Sequence, residues 1–362
     1  SSLCLTSGVN PMILLLSFDV RRRGGIERLT LQVKQTLESA GHSVVLLTPK
    51  KLGPGWWGRQ LGRLSFLLQL IPALCRSQMV LSMHVLLLQP VNWLNWCRRS
   101  DQTLHCWVHG IEVWGSNCTS HQEALKRCHS LIASSHFTKE QLAPLGCDIK
   151  VVHPMADLFD PMTPPQPLPA TLTLLTVARM CRSEMYKGHG LIVDALHQLQ
   201  RQNELPTGFQ WEVVGEGDQR PELMQRVQEL GMQKWVCFLG SLSDQQLRSA
   251  FQRSSAFLMP SPFVVDSQGH ASGEGFGIVY LEAAMAGRAS IACNEGGQTD
   301  LIQDGKTGWL IPPNISALMT VLRTLIDQPG LAAIRGTQAR DHALAHFSIQ
   351  RFKKQLQEAL RL

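Results

Sequence analysis

The feature that most restricts this chain is an alternation: short apolar runs of strand length, each followed by a helix-length amphipathic segment, restarting after a proline-dense gap. That order builds parallel sheets, because neighbouring parallel strands need a long crossover between them and a helix fills it. In the first half, strands are expected at residues 13–18, 43–47, 104–108 and 130–133, with a helix over 26–40 that Gly41 ends. The stretch from Pro154 to Pro169 holds Pro161, Pro164, Pro165 and Pro167, a composition that disfavours helix and sheet and reads as an interdomain linker. Beyond it, strands at 172–178, 211–214, 236–239, 256–260 and 290–293 alternate with helices at 190–199 and 277–286.

The expected fold is therefore α/β, with two Rossmann-like doubly wound domains, residues 1–160 and 171–345, joined by a linker at 161–170. A basic amphipathic helix in the tail, 346–362, is expected to pack back towards the first domain. Open parallel sheets bind ligands beyond the carboxyl ends of their strands, so the functional site belongs in the cleft between the domains.

Charge adds direction. Residues 1–165 carry 16 Lys and Arg against 10 Asp and Glu, whereas 166–362 are balanced at 18 each, so the net charge of +6 sits in the first half. A basic half suits an anionic ligand or an acidic membrane surface, or is plain solubilising charge. It carries no aromatic-interleaved basic motif of the kind that binds nucleic acid. The ten cysteines form no Cys-x-x-Cys pair and several lie among apolar residues, as Cys106, Cys237 and Cys293 do, which reads as buried, reduced thiols. No metal site is expected: His105 with His109 and Cys118 with His121 lack a second ligand pair, and no Asp-x-Asp occurs. No apolar run is long enough to span a membrane, since 61–88 is broken by Arg63, Pro72, Arg76 and His84, and the opening residues lack a basic leader.

The densest chemical signal runs from Pro260-Ser261 through Glu274-Gly275-Phe276-Gly277-Ile278 to Glu282, with Ala286-Gly287 closing it. Two carboxylates bracket a glycine-rich turn that opens a helix. Glycines let backbone approach a ligand, and the first amides of the helix attract a diphosphate. Glu282 lies about 7–8 Å further along the helix axis and so meets a different part of that ligand. A carboxylate suits a ribose, because it accepts both hydroxyl protons of a diol. Two cations, Arg179 and Lys187, follow the strand at 172–178 and face the same cleft, where they would neutralise a diphosphate. Gly215-Glu216-Gly217 ends another strand, and Gly24-Gly25 occupies the first loop of the first domain.

With these motifs the chain resembles the large family of retaining, nucleotide-sugar glycosyltransferases with the GT-B fold, glycosyl transferases group 1, from Ile13 to about Ala345 and most strongly over 171–312. The resemblance implies that Glu274 contacts the donor sugar near O3, that the amides of Gly275, Phe276, Gly277 and Ile278 line sugar and phosphates, and that Glu282 holds the ribose. It gives Arg179 and Lys187 the leaving diphosphate, and places Gly24, Gly25, Gly215 and Glu216 around the donor. His109, a strand-end histidine, would bond the sugar O6; Glu112 and Arg22 are weaker candidates for the acceptor. Departures from the family pattern are Ala178-Arg179-Met180 where Gly-Arg-Leu is usual, and His153-Pro154-Met155-Ala156-Asp157 where Asn-Gly-Val-Asp is usual. The stretch 262–273 is longer than the common form, and makes either a lid or a loop.

The expected activity is transfer, with retention, of a hexose from a UDP- or GDP-sugar to a saccharide or lipid-linked acceptor. No cofactor or metal is required, and the expected setting is bacterial polysaccharide or glycolipid synthesis in the cytoplasm, peripheral on the inner face of the membrane. The segment with Trp56, Trp57, Arg59, Arg63 and Arg76 either lies on that membrane or is a core helix with surface arginines. Another enzyme of the same fold, an epimerase or phosphorylase, or a silent nucleotide-sugar-binding protein, are the alternative readings.

Overall fold

The computed structural model describes residues 12–18, 20, 24–50 and 55–362; Arg22 and its neighbours Arg21 and Arg23 lie outside the described residues. The first domain alternates strands β1 (Met12–Leu16), β2 (Ser43–Leu47), β3 (Met79–Ser82), β4 (Thr103–Val108), β5 (Ser130–Ala133) and β6 (Ile149–Val151) with helices α1 (Gly25–Ser39), α2 (Gly55–Arg76), α3 (Leu88–Trp93), α4 (Ser116–Lys126) and α5 (His136–Leu142). Its strands form one parallel sheet in the order β2-β1-β3-β4-β5-β6. The second domain holds β7 (Thr173–Val177), β8 (Gln210–Val214), β9 (Val236–Gly240), β10 (Ala256–Leu258), a hairpin of β11 (Val264–Val265) and β12 (Ala271–Ser272), then β13 (Ala289–Cys293) and β14 (Gly308–Ile311). Its helices are α6 (His189–Arg201), α7 (Arg220–Glu229), α8 (Asp244–Gln252), α9 (Ile278–Met285), α10 (Ile315–Asp327) and α11 (Gly330–His346), and α12 (Ile349–Leu360) closes the chain. The second sheet is again parallel, in the order β14-β13-β10-β7-β8-β9.

Both sheets are covered on both faces, which is why their strands read as continuous apolar runs. In β1, Leu14 and Leu16 pack with Phe66, Leu70 and Leu74 of α2, while Ile13 and Leu15 pack with Leu29, Val33 and Leu37 of α1. Phe352, Leu356, Ala359 and Leu360 of α12 join that second layer, so the last helix completes the core of the first domain. In each sheet the chain winds outward in both directions from its first strand. Such a reversal opens a crevice at the carboxyl ends of the strands.

Three local readings differ from the sequence expectation. First, the crossing between domains precedes the expected linker at 161–170. Met155 packs with the first core and Ala156, Leu158 and Phe159 with the second. Residues 161–167 are strapped to the second domain: Arg340 Nη2 donates to the carbonyls of Pro161 (2.8 Å) and Thr163 (2.7 Å), and Arg288 Nη1 to that of Gln166 (3.0 Å). Prolines leave carbonyls free of any ladder, and the two guanidiniums collect them. Second, Cys237 is exposed, because β9 is an edge strand and Cys237 points outward. Third, α2 is neither simply a core helix nor a helix whose outer face is only charged. Trp57, Leu61, Leu64 and Leu68, spaced one helical turn apart, form an exposed apolar stripe opposite the buried Phe66, Leu70 and Leu74. No helix among the described residues is long and apolar enough to cross a membrane.

The stretch 262–273 is a hairpin that grips the other domain. Gly269 accepts a hydrogen bond from the Ser116 amide (2.8 Å), and Phe263 packs edge-on against Trp114 and Phe137 of the first domain.

Candidate functional site

Three glycines decide how closely the two domains meet. A Cβ on Gly275 would stand 1.7 Å from the carbonyl oxygen of His109, and one on Gly110 would stand 3.0 Å from Gly275 Cα. Gly25, at the start of α1, faces Ile278 at the start of α9, where a Cβ would lie 3.6 Å from Ile278 Cδ1. The loop after β4, the Gly24-Gly25 loop and the Glu274–Ile278 turn therefore converge on one spot. Gly277 caps α9 with φ +83, a left-handed conformation that favours glycine, so the chain turns sharply into a helix whose first amides have no intrahelical acceptor.

The charges around this turn pair with one another. Glu274 is 7% exposed and forms an ion pair with Lys187. Gly188, at φ +83, lets the Lys187 loop lie against Pro260, whose carbonyl a Cβ would strike at 2.4 Å. Arg179, largely exposed, pairs with the half-buried Glu184. Tyr186 joins the two pairs: burial, then the carboxylates of Glu274 and Glu184, push its hydroxyl far above the usual phenol range, with Arg179 opposing. Gly215, at φ +139, rests on the Ala178 carbonyl, and the Glu216 carbonyl accepts from the Met180 amide at 3.0 Å. The Gly215-Glu216-Gly217 turn is thus built against the Arg179 loop. The Glu216 side chain is half exposed, near Arg220.

Glu282 sits one turn deeper in α9, 2% exposed. Burial drives its carboxyl up to about 7, and Arg28 opposes that shift. Arg28 belongs to α1 of the first domain, and its Nη1 donates to Glu282 Oε1 at 3.0 Å. Phe276 is 4% exposed, its ring tilted against those of His153 and Phe347.

His109 is held within its own domain. Its Nε2 donates to the Met83 carbonyl at 2.7 Å, and its Nδ1 lies 3.4 Å from Ser134 Oγ. Only the longer Nδ1 contact is one a sugar hydroxyl would readily replace. Glu112 bends back to accept from the His109 amide at 2.5 Å, which shapes the loop and engages one of the carboxylate oxygens proposed for an acceptor.

Sequence reasoning missed Arg28. The available signal was its position: a cation in the first turn of a helix opposes the helix dipole, so it needs a partner elsewhere. It also missed a second interdomain knot. Asp300 Oδ2 accepts from the His136 amide (2.8 Å), from His136 Nδ1 (3.0 Å) and from His153 Nε2 (2.8 Å). These hydrogen bonds hold the Asp300 carboxyl below the usual carboxylate range against its burial, which alone would raise it. Two imidazoles and a carboxylate this close are also a possible metal-ligand set. Gln355 gives His153 a hydrogen-bonded role instead: it accepts from the His153 amide (3.2 Å) and turns its NH2 group to His153 Nδ1 (3.5 Å). The imidazole proton then resides on Nε2, which donates to Asp300 instead of ligating. A concavity of about 570 Å³ lies away from these residues, between α7 and β9, lined by Pro221, Met224 and Phe238.

Residues 170–342 match the model of the family described as Glycosyl transferases group 1. Among curated proteins, the glycogen synthase of Mycobacterium tuberculosis is 26% identical over 249 residues, 67% of this chain and 54% of that protein. The GDP-mannose-dependent alpha-(1-6)-phosphatidylinositol monomannoside mannosyltransferase of Mycolicibacterium smegmatis is 30% identical over 162 residues, 44% of this chain and 40% of that protein. The matches thus span about half of these curated relatives or less. Among solved structures, HepE of Anabaena, crystallised with UDP and glucose, superposes with a TM-score of 0.74 at 19% identity, covering 97% of this chain and all of that one. Sucrose-phosphate synthase of Thermosynechococcus elongatus gives a TM-score of 0.77 at 18% identity over 97% of this chain and 98% of its own. These likenesses show the fold to be GT-B.

Proposed function

We propose that the chain, whose residues 170–342 match the glycosyl transferases group 1 model, is a retaining glycosyltransferase, moving a hexose from a UDP- or GDP-linked donor to a hydroxyl of a saccharide or lipid-linked acceptor. The observation that carries this reading is the pair of cation–carboxylate contacts flanking the start of α9, Lys187 with Glu274 and Arg28 with Glu282. A nucleoside diphosphate sugar supplies further partners: phosphate for Lys187, sugar hydroxyls for Glu274, and ribose hydroxyls for Glu282, which Arg28 holds in place. Its base would lie at the end of β9. Relatives support a nucleotide sugar, since HepE is known with UDP-glucose and the mycobacterial mannosyltransferase depends on GDP-mannose.

In the proposed reaction the anomeric C–O bond to the diphosphate breaks, leaving positive charge on the ring and negative charge on the phosphate. Lys187, Arg179 and the opening amides of α9 stabilise the phosphate. The acceptor oxygen bonds the anomeric carbon from the same face, and its proton passes to a phosphate oxygen of the leaving group. His109 borders the reacting face. Fixed side-chain cations occupy the electrostatic role of a metal, so the reading needs neither metal nor cofactor.

The acceptor is read as meeting the first domain. The stripe on α2, with Arg63 and Arg76 exposed beside it, suits the surface of an anionic membrane, which would put the enzyme at the inner face of the cytoplasmic membrane with a lipid-linked acceptor. A thermal-shift panel of UDP-, GDP- and ADP-sugars tests the donor reading, because a donor that binds only the folded chain raises its melting temperature. One donor should shift the curve, Glu282→Ala should remove the shift, and acceptor should release nucleoside diphosphate. A curve unmoved by every sugar nucleotide refutes it.

A further inference from the structure

Glu282 is a buried carboxylate whose charge is compensated from the opposite domain. Arg28 reaches across the cleft with Nη1 at 3.0 Å from Glu282 Oε1. The same guanidinium places Nη2 3.3 Å from Asp244 Oδ1, at the start of α8, and Nη1 3.8 Å from Asp157 Oδ1, just past the interdomain crossing. Three acids from the second domain and the crossing thus gather around one cation from the first. The acids differ in surroundings: the Asp157 and Asp244 side chains are about half exposed, whereas that of Glu282 is 3% exposed.

We propose that Arg28 is a positioning residue for the sugar-nucleotide donor: it keeps Glu282 an oriented carboxylate, and so makes ribose capture by the second domain depend on contact with the first. The proposal rests on the donor-site reading above. A ribose diol offers two protons, and only an ionised carboxylate accepts both; a neutral carboxyl spends one oxygen carrying its own proton. Arg28 takes one lone pair of Oε1 and leaves Oε2 for the ligand. Around Glu282, burial and the charges of Asp157 and Asp244 favour the neutral acid, and Arg28 alone among the named neighbours favours the anion. Because Arg28 rides on α1, opening the cleft withdraws it and favours the protonated, poorly binding form. Donor binding and closure then strengthen each other through one ion pair.

The test is calorimetric titration of the full chain with UDP-glucose, GDP-mannose and ADP-glucose as probes, across about pH 6–9, for wild type, Arg28→Met, Arg28→Lys, Asp157→Asn and Glu282→Gln. With the probe that binds wild type, Arg28→Met should bind on the order of tenfold more weakly near neutral pH and recover as pH rises, the displacement of one ionisation by about one unit. Arg28→Lys should lie between the two, and Asp157→Asn should move the profile to lower pH. A loss in Arg28→Met that is equal at every pH, with no shift in Asp157→Asn, means that Arg28 only ties the domains together and overturns the proposal. If instead Glu282→Gln binds every probe as wild type does, the donor-site reading itself falls.

Discussion

The carbonyl oxygen of His109, in the first domain, occupies the space that a Cβ on Gly275 of the second domain would need, 1.7 Å away. Backbone cannot yield as a flexible side-chain tip can, so this glycine sets the closest approach of the two walls of the cleft.

Gly275→Ala should therefore fold and keep each domain intact, yet hold the cleft apart. A displacement near 1 Å at a reacting centre costs on the order of 100-fold in rate. Steady-state transfer with the identified donor should fall by about that factor, while the circular dichroism spectrum stays unchanged. A variant as active as wild type would mean that closure at this contact is not needed.

Lys187 and Glu274 have largely buried side chains, at 16% and 9% exposure. Lys187→Met strands the Glu274 carboxylate and should lower the unfolding free energy by about 2–4 kcal/mol. Adding Glu274→Gln removes the stranded charge and should restore most of that stability in urea titrations, but not activity. Transfer should remain down on the order of 100-fold, because the proposed mechanism needs the Lys187 charge on the leaving phosphate.

Asp300 gives an acid-side signature. Its carboxyl is held below the usual range by the His153 and His136 hydrogen bonds, so its contribution to stability is fully present above the unfolded carboxylate range, and is lost as pH falls through its depressed folded value. The stability gap between wild type and Asp300→Asn should be constant near neutral pH and shrink below about pH 4. Urea unfolding at a series of pH values measures it. A gap independent of acid would remove the linkage.

The stripe on α2 predicts apolar membrane contact. Leu61→Gln, Leu64→Gln and Leu68→Gln together should weaken sedimentation with vesicles of mixed phosphatidylcholine and phosphatidylglycerol by more than about tenfold, since each buried leucine contributes roughly 1.5–3 kcal/mol. The wild-type chain should keep part of its binding at high salt. Equal sedimentation of both proteins would exclude this face from membrane contact.

Much of the architecture was legible in residue order. Runs such as Ile13-Leu14-Leu15-Leu16 have no polar face, and only strands covered on both sides bury every residue, so parallel sheets with crossover helices followed from local pattern alone. The glycine turn between two acids was legible for a similar reason: Glu274, Gly275, Gly277 and Glu282 lie within nine residues, and their spacing on one turn and one helix carries its own geometry.

What escaped sequence reading involves partners far apart along the chain. Arg28 and Glu282 are 254 positions apart, and His153 and Asp300 are 147 apart. No local periodicity encodes such a pair, and an exposed-looking arginine in a first helical turn has the same sequence whether or not a carboxylate faces it. The proline-rich stretch misled for the same reason, since its carbonyls meet Arg288 and Arg340, guanidiniums more than 100 positions away in the chain. Residue order determined the two sheets and the glycine turn between two acids, because those depend on neighbours within a helix or strand. Tertiary structure alone decided which cation meets which acid across the cleft, because long-range electrostatics depends on distances that only the folded chain sets.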